Sequence, residues 1–321
     1  MKIFKKRKNK MSYLLYFILV AIIFVVSTSI YQYIGVRTDQ KNHSFLGNFI
    51  KLENEKIHFY EAGEGEVTVV FGSGSGTSSP YSDMYYLQNE ISKYTNTVVY
   101  ERPGYGWSDK TSKKRSVDNI SEEISDVLKE TSGNDSYIFV AHSMASLEVM
   151  RYAQKYPEQI KGIVLIDGVS PEFALNMENT VSTGYYFMQG LKNTGVLRLL
   201  ANMDSVYEGL NTNNYLPEDL KEQNTALTLK HLWNSTMLNE RKLLNENGKV
   251  VISNGDLGDI PLVILTAETS EMKGWHESQE TLKSWSTNSH QILVENTNHF
   301  IHYEEPNVVI EEIKKLLSVS D

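Results

Sequence analysis

The segment Tyr137-Ile138-Phe139-Val140-Ala141-His142-Ser143-Met144-Ala145 runs four strand-favouring residues straight into a small-x-Ser-x-small step, and a helical pattern begins at once. A strand that breaks into a helix with no intervening loop has few solutions. The chain must turn sharply, the turning residue takes up strain, and its flanking residues must be tiny to avoid a clash. Such a turn holds a serine hydroxyl clear of the backbone, where a base can reach it. Ala141 and Ala145 fill the small positions, so the pattern is a relaxed G-x-S-x-G. The alternative for Ser143 is an ordinary helix N-cap, a position that favours serine. The rest of the chain has to decide between the two.

The body around this junction alternates strand and helix. Residues 49–52 and 56–61 read as a β-hairpin turning at Glu53-Asn54-Glu55. Further strands are expected at 67–71, 97–101, 137–141, 162–166, 262–266 and 291–295. Helices are expected at 83–93, 116–131, 143–156, about 277–286 and 307–317. In the second of these, Val117, Ile120, Ile124, Val127 and Leu128 follow a 3.6-residue period. The alternation lapses between about 171 and 255, where 191–203 and 220–244 are the clearest helices. The expected fold is α/β, with a mostly parallel central sheet, helices on both faces, and a helical cap at about 171–255 inserted between late strands. A cap so placed covers the carboxyl edge of the sheet, where ligands bind in such folds.

Charge separates the N-terminus from this body. The first ten residues hold Lys2, Lys5, Lys6, Arg7, Lys8 and Lys10 and no acid. The remaining 25 basic residues face 40 acidic ones, a net charge near −15, which argues against nucleic acid as a partner. No charge occurs over residues 11–36, and 14–26 is apolar apart from the Tyr16 hydroxyl. A bilayer core needs about 20 mainly apolar residues. The expected organisation is therefore a basic cytoplasmic N-terminus at 1–10, a transmembrane signal anchor at 11–31, a polar linker at 32–48 and an exported, extracellular domain at 49–321. A cleaved signal peptide is the alternative, with Ser27-Thr28-Ser29 as a weak cleavage site and a secreted body as the result. With no cysteine, the chain has no disulfide, thiolate metal site or cysteine nucleophile.

Several motifs in order resemble the α/β-hydrolase superfamily over residues 49–317. They are Gly-Ser-Gly-Ser-Gly at 72–76, Glu101-Arg102-Pro103-Gly104-Tyr105-Gly106-Trp107-Ser108, the junction at Ser143, Gly162-Ile163-Val164-Leu165-Ile166-Asp167, and the late His299. The resemblance implies Ser143 as nucleophile and His299, in the loop after the last strand, as base. His302 and His290 are the competing histidines. It implies an oxyanion hole from the N–H groups of Ser75 and Met144. The glycine loop lacks both the Lys-Ser/Thr of a P-loop and the G-x-G-x-x-G order. The acid is open. The usual position, after strand 262–266, holds Ser270; some family members use an acid after the preceding strand, which here is Asp167. Glu268 and then Glu271 are the alternatives, and an ordinary loop cap is the structural reading of Asp167.

The function so implied is a membrane-anchored serine hydrolase cleaving an ester or related acyl bond, with no metal or organic cofactor. Phe173, Met177, Tyr185, Tyr186, Phe187, Met188, Met203, Trp233 and Met237 in the cap suggest an apolar acyl substrate, although such residues mostly fill space. An aspartate at the junction would have implied an epoxide hydrolase or dehalogenase. A peptidase, thioesterase, C–C bond hydrolase or cofactor-free peroxidase would use the same three residues. A different class is a non-catalytic surface binding protein that retains the fold.

Overall fold

The computed structural model of the chain describes residues 2–52, 55–131, 135–177, 181–270 and 272–319. Two residues of the expected hairpin turn, Glu53 and Asn54, lie outside the described residues, as does Glu271.

Eight strands form one sheet: β1 (Asn48–Leu52), β2 (Glu55–Ala62), β3 (Thr68–Gly72), β4 (Asn96–Glu101), β5 (Tyr137–His142), β6 (Ile160–Ile166), β7 (Leu262–Ala267) and β8 (Ser289–Val294). Their spatial order is β1-β2-β4-β3-β5-β6-β7-β8. The β1–β2 and β2–β4 pairs are antiparallel and the others parallel. Helices α1 (Lys2–Asn42), α2 (Pro80–Ile91), α3 (Val117–Lys129) and α4 (Ala145–Lys155) precede β6. The insertion between β6 and β7 holds α5 (Pro171–Asn176), α6 (Thr183–Asn193), α7 (Val196–Leu200), α8 (Asp204–Leu210), α9 (Glu218–His231), α10 (Ser235–Lys242) and α11 (Leu244–Ser253). Helices α12 (Trp275–Leu282), α13 (Ile301–Glu304) and α14 (Pro306–Val319) follow.

Strands β3, β4, β5 and β7 are buried at every position. For β3, β5 and β7 that explains the mainly apolar sequences, because a strand flanked by parallel neighbours is covered on both faces; β4, paired antiparallel with β2 on one side, buries Asn96, Thr97 and Glu101 as well. On one face Met84, Leu87 and Ile91 of α2 meet Val309 and Ile313 of α14 over the sheet. On the other lie Ile120, Ile124 and Val127 of α3 with Leu147 and Met150 of α4. Each such side chain contributes about 1.5–3 kcal/mol when fully buried. Helix starts follow local chemistry. Ser79 and Ser116 accept from Ser82 N and Asn119 N to cap α2 and α3, and Pro80 begins α2 where its missing N–H costs nothing.

Three expectations change. The polar stretch 32–48 is not a linker through most of its length, because α1 continues unbroken to Asn42. Its polar residues find partners on the insertion. The Gln32 amide donates to the Leu229 carbonyl at 2.6 Å, and the Arg198 guanidinium donates to Gln32 Oε1 and Asp39, each at 2.7 Å. The insertion, next, is not all cap. Helix α11 packs on α5, α4 and α3, and Ala174, Leu244 and Val251 join the core on that face, so the covering part is α6 to α10. Finally, both long cap helices break, at Gly195 (φ +78°) and at Trp233 (φ +49°).

Candidate active site

The turn after β5 is where the sequence located it. Ser143 has φ +55°, a left-handed conformation rare for a residue with a side chain. It is not the helix N-cap; Met144 takes that position without a side-chain cap bond. The turn is pinned on both sides. The Ser143 N–H donates to the Ile166 carbonyl at 3.1 Å, and the Ser143 carbonyl accepts from Val169 N–H at 3.0 Å and from the Ser146 hydroxyl at 2.8 Å. The small residues matter because the 72–76 loop lies against the turn. A Cβ added to Gly72 would be 3.2 Å from Ala145 Cβ, and one added to Gly74 would be 3.2 Å from Ser143 Cβ. An alanine fits at 145 because a glycine faces it.

His299, in the loop after β8, points Nε2 at Ser143 Oγ at 2.9 Å, and its Nδ1 is 2.6 Å from Asp167 Oδ2. A carboxylate only accepts, so Nδ1 carries the proton. The unprotonated Nε2 is left to accept from the serine hydroxyl. Asp167 itself is buried and has φ +44°. Its Oδ1 accepts from Ala267 N–H at 3.1 Å and its Oδ2 also accepts from Trp275 Nε1–H at 2.9 Å. Of the other acids considered, Glu268 is exposed and accepts from the Asn296 N–H at 2.7 Å. His302 and His290 bond instead to Asp83 and Glu312.

Ser75 and Met144 flank Ser143, with Ser75 on the wall of a cavity of about 230 Å³. Ser143 and His299 open into it, and Leu210, Asn224 and Leu232 of the cap close it. The glycine loop is held by a residue whose role the sequence did not disclose. Arg102 donates to the Gly74 carbonyl at 3.1 Å and to Glu148 of α4 at 2.7 Å, and lies 3.6 Å from Glu240 of the cap helix α10. All three side chains are buried. Burial raises the Glu148 carboxyl above its usual range against the pull of Arg102. Glu240 also accepts from the Tyr105 hydroxyl at 2.6 Å and from Arg115 at 3.2 Å.

A second unread group stands behind His299. His142 Nε2 donates to the His299 carbonyl at 3.0 Å, since a carbonyl can only accept. The His142 ring lies 4.5 Å from that of His302, and His302 Nε2 and the Tyr303 hydroxyl both meet Asp83 Oδ1. Burial, with His302 and His299 beside it, drives the His142 pKa far down, so the ring is neutral. Burial alone would raise Asp83, yet His302, His142 and Tyr303 hold it at about 2. Ligand atoms of Asp83, His142 and His302 lie within 4.8 Å of one another, and Asp83 Oδ2, His142 Nδ1 and His302 Nδ1 are buried without a hydrogen-bond partner among the described residues, while Asp83 Oδ1 meets two donors. The group is read as a hydrogen-bonded support for the histidine loop.

A family model for the alpha/beta hydrolase fold matches residues 67–306. The chain belongs to the α/β-hydrolase-fold family. Among its relatives, the uncharacterised protein YbdG of Bacillus subtilis (strain 168) is 27% identical over 262 residues, 79% of each chain. Epoxide hydrolase 1 of Caenorhabditis elegans is 23% identical over 296 residues, 84% of this chain and 70% of the relative. Among solved structures, an inhibitor complex of Bacillus megaterium epoxide hydrolase superposes with a TM-score of 0.61 at 17% identity, covering 84% of this chain and all of that one. Membership of this family and its epoxide-hydrolase relatives support a hydrolase.

Proposed function

We propose that this α/β hydrolase is a serine hydrolase that cleaves an ester or related acyl bond and is held at a membrane by α1. The observation that carries the reading is the unbroken relay from Ser143 Oγ through His299 to Asp167, with contacts of 2.9 and 2.6 Å. His299 Nε2 takes the Ser143 proton as Oγ attacks the acyl carbon. The N–H groups of Ser75 and Met144 stabilise the oxyanion, and Asp167 stabilises the imidazolium. The proton then passes to the leaving alkoxide as the acyl–oxygen bond breaks. Water, deprotonated by the same histidine, releases the acid and restores Ser143. An epoxide hydrolase reading is disfavoured by the serine at position 143. A binding module would have no use for the alignment of the three groups.

Membrane anchoring is supported by α1, long and apolar enough over Lys10–Asn42 to cross a bilayer, with residues 11–27 exposed. The test is covalent labelling of the full chain, in phosphatidylcholine vesicles, by a fluorophosphonate. Labelling of the wild type that is lost in Ser143→Ala is expected. A folded wild type that stays unlabelled and hydrolyses no ester would overturn the reading.

A further inference from the structure

Helix α1 does more than tether the domain. Thr28 and Gln32 are buried against the cap, and two glycines make the approach intimate. A Cβ on Gly195, in the α6–α7 turn, would fall 2.0 Å from the Thr28 carbonyl oxygen. One on Gly35 would fall 2.6 Å from the Arg198 guanidinium. With the Gln32, Arg198 and Asp39 bonds, these contacts fix α6 and α7 relative to the helix axis.

That fixed geometry sets the height of the cap. The exposed residues 11–27 of α1 rise about 25 Å at ~1.5 Å each, against a hydrocarbon thickness of about 30 Å. The bilayer boundary on the domain side therefore falls within a turn of Thr28, which is the level of Gly195. Tyr31 and Tyr33 follow there, and both are exposed, as befits aromatic residues at a membrane interface.

The surface of the cap next to this point is apolar. Helix α6 turns Tyr185, Met188, Gln189 and Lys192 inward and Tyr186, Phe187 and Gly190 outward. Phe187 is 66% exposed, and beyond Gly195 so are Leu199 at 46% and Met203 at 55%. No charged side chain interrupts the outward face of α6. The inward face of the same helix packs on Trp233. The Tyr185 ring lies 4.2 Å from that of Trp233, and Gln189 donates to the Trp233 carbonyl. Trp233 in turn fills the space over Gly76, where an added Cβ would be 2.4 Å from its ring. One helix thus has the bilayer boundary on one side and, on the other, Trp233, which packs on Gly76 of the glycine loop that lines the Ser143 cavity.

We propose that the outward face of α6 and α7 is seated in the leaflet on the domain side, and that the substrate is an acyl-ester amphiphile dissolved in that leaflet, reaching Ser143 past α6 and Trp233. This rests on the reading of α1 as a membrane span and of Ser143 as the nucleophile. The chain has no cysteine, so single cysteines report position cleanly. Full-length Phe187→Cys, Ile18→Cys and Tyr94→Cys, each labelled with bimane in phosphatidylcholine vesicles, are compared for quenching by nitroxide lipids. Expected is strong quenching at 18 by deep nitroxides and at 187 by shallow ones, and little at 94. Quenching at 18 with none at 187 above that at 94 overturns the cap docking while the anchor stands; no quenching at 18 means that the anchor itself fails. In the same vesicles, Phe187→Asp should hydrolyse 1-oleoylglycerol at least 10-fold more slowly than wild type and soluble p-nitrophenyl acetate within 2-fold of it. Equal effects on both esters, or wild type that turns over only the soluble one, overturn the substrate assignment; failure on both without fluorophosphonate labelling overturns the hydrolase reading instead.

Discussion

Replacing Asp167 by asparagine separates the acid from its rival and has a magnitude that follows from three hydrogen bonds. The carboxylate accepts from Ala267 N–H on Oδ1 and from Trp275 Nε1–H and His299 Nδ1–H on Oδ2. An asparagine has one carbonyl for three donors. With the carbonyl toward His299 and Trp275, its NH₂ opposes the Ala267 N–H. Turned the other way, it opposes Trp275 and favours the tautomer of His299 that cannot accept from Ser143. One buried donor left without an acceptor costs about 1–3 kcal/mol, a few degrees of Tm for a body of this size. The catalytic loss is larger, because the imidazolium loses its counter-charge: about 10⁴-fold in Ser-His-Asp enzymes, or ~5.5 kcal/mol in the barrier. The assay is kcat for p-nitrophenyl butyrate with the full chain in vesicles, beside thermal unfolding, with Glu268→Gln as the control. Expected is a rate 10³–10⁴-fold down in Asp167→Asn and unchanged within 2-fold in Glu268→Gln. A folded Asp167→Asn retaining more than a tenth of the rate, or an equal loss in Glu268→Gln, would refute the assignment.

Glu240→Gln removes the cap's carboxylate from Arg102, Arg115 and the Tyr105 hydroxyl; breaking buried pairs in this way should destabilise the chain by about 3–5 kcal/mol, measured by urea unfolding. Lys192 is buried in the cap, and burial together with Lys110 pulls its pKa down to about 8. Its charged form is therefore destabilising below pH 8, and Lys192→Met should be more stable than wild type by about 3 kcal/mol at pH 7. That advantage should shrink as the pH rises from 8 toward 10.5; a constant advantage would contradict it. His231 is neutral in the fold, its pKa driven down by burial and by Lys230 and Lys110. Below pH 6.5 the unfolded chain alone takes up that proton, so stability falls by up to about 1.4 kcal/mol per pH unit; His231→Gln should flatten the slope of Tm between pH 6.5 and 5.

The sheet was legible because β3, β5, β6 and β7 are apolar runs ended by turn residues, a pattern that parallel strands require. The positions of Ser143 and His299 followed from their places at the ends of β5 and β8. Asp167 stood ahead of Glu268 only through the family resemblance, because each follows a buried strand. What separates them is where neighbours point: Trp275 and Ala267 converge on Asp167, while Glu268 turns to the backbone of Asn296. No local signal in the sequence announces this. The extension of α1 was illegible for the same reason. Gln32 and Asp39 look like solvent-facing residues until Arg198, some 160 positions later, is brought beside them. The breaks at Gly195 and Trp233 are likewise set by what packs on them. Arg102 was visible as part of a motif, but its hold on the Gly74 carbonyl depends on Glu148 and Glu240 from two distant helices.

Ser143 and Asp167, two of the four described non-glycine residues with positive φ, sit at +55° and +44°. A side chain in that region costs of order 1 kcal/mol or more, whereas glycine occupies it freely. Folding alone would thus be better served by a chain with glycine at position 143. Ser143→Gly should raise Tm while abolishing fluorophosphonate labelling, and a lower Tm would show that the turn is relaxed. The protein keeps a side chain at position 143 against the preference of its own scaffold, a trade that a chain kept only for its shape would have no reason to maintain, and one that the proposed nucleophile would explain.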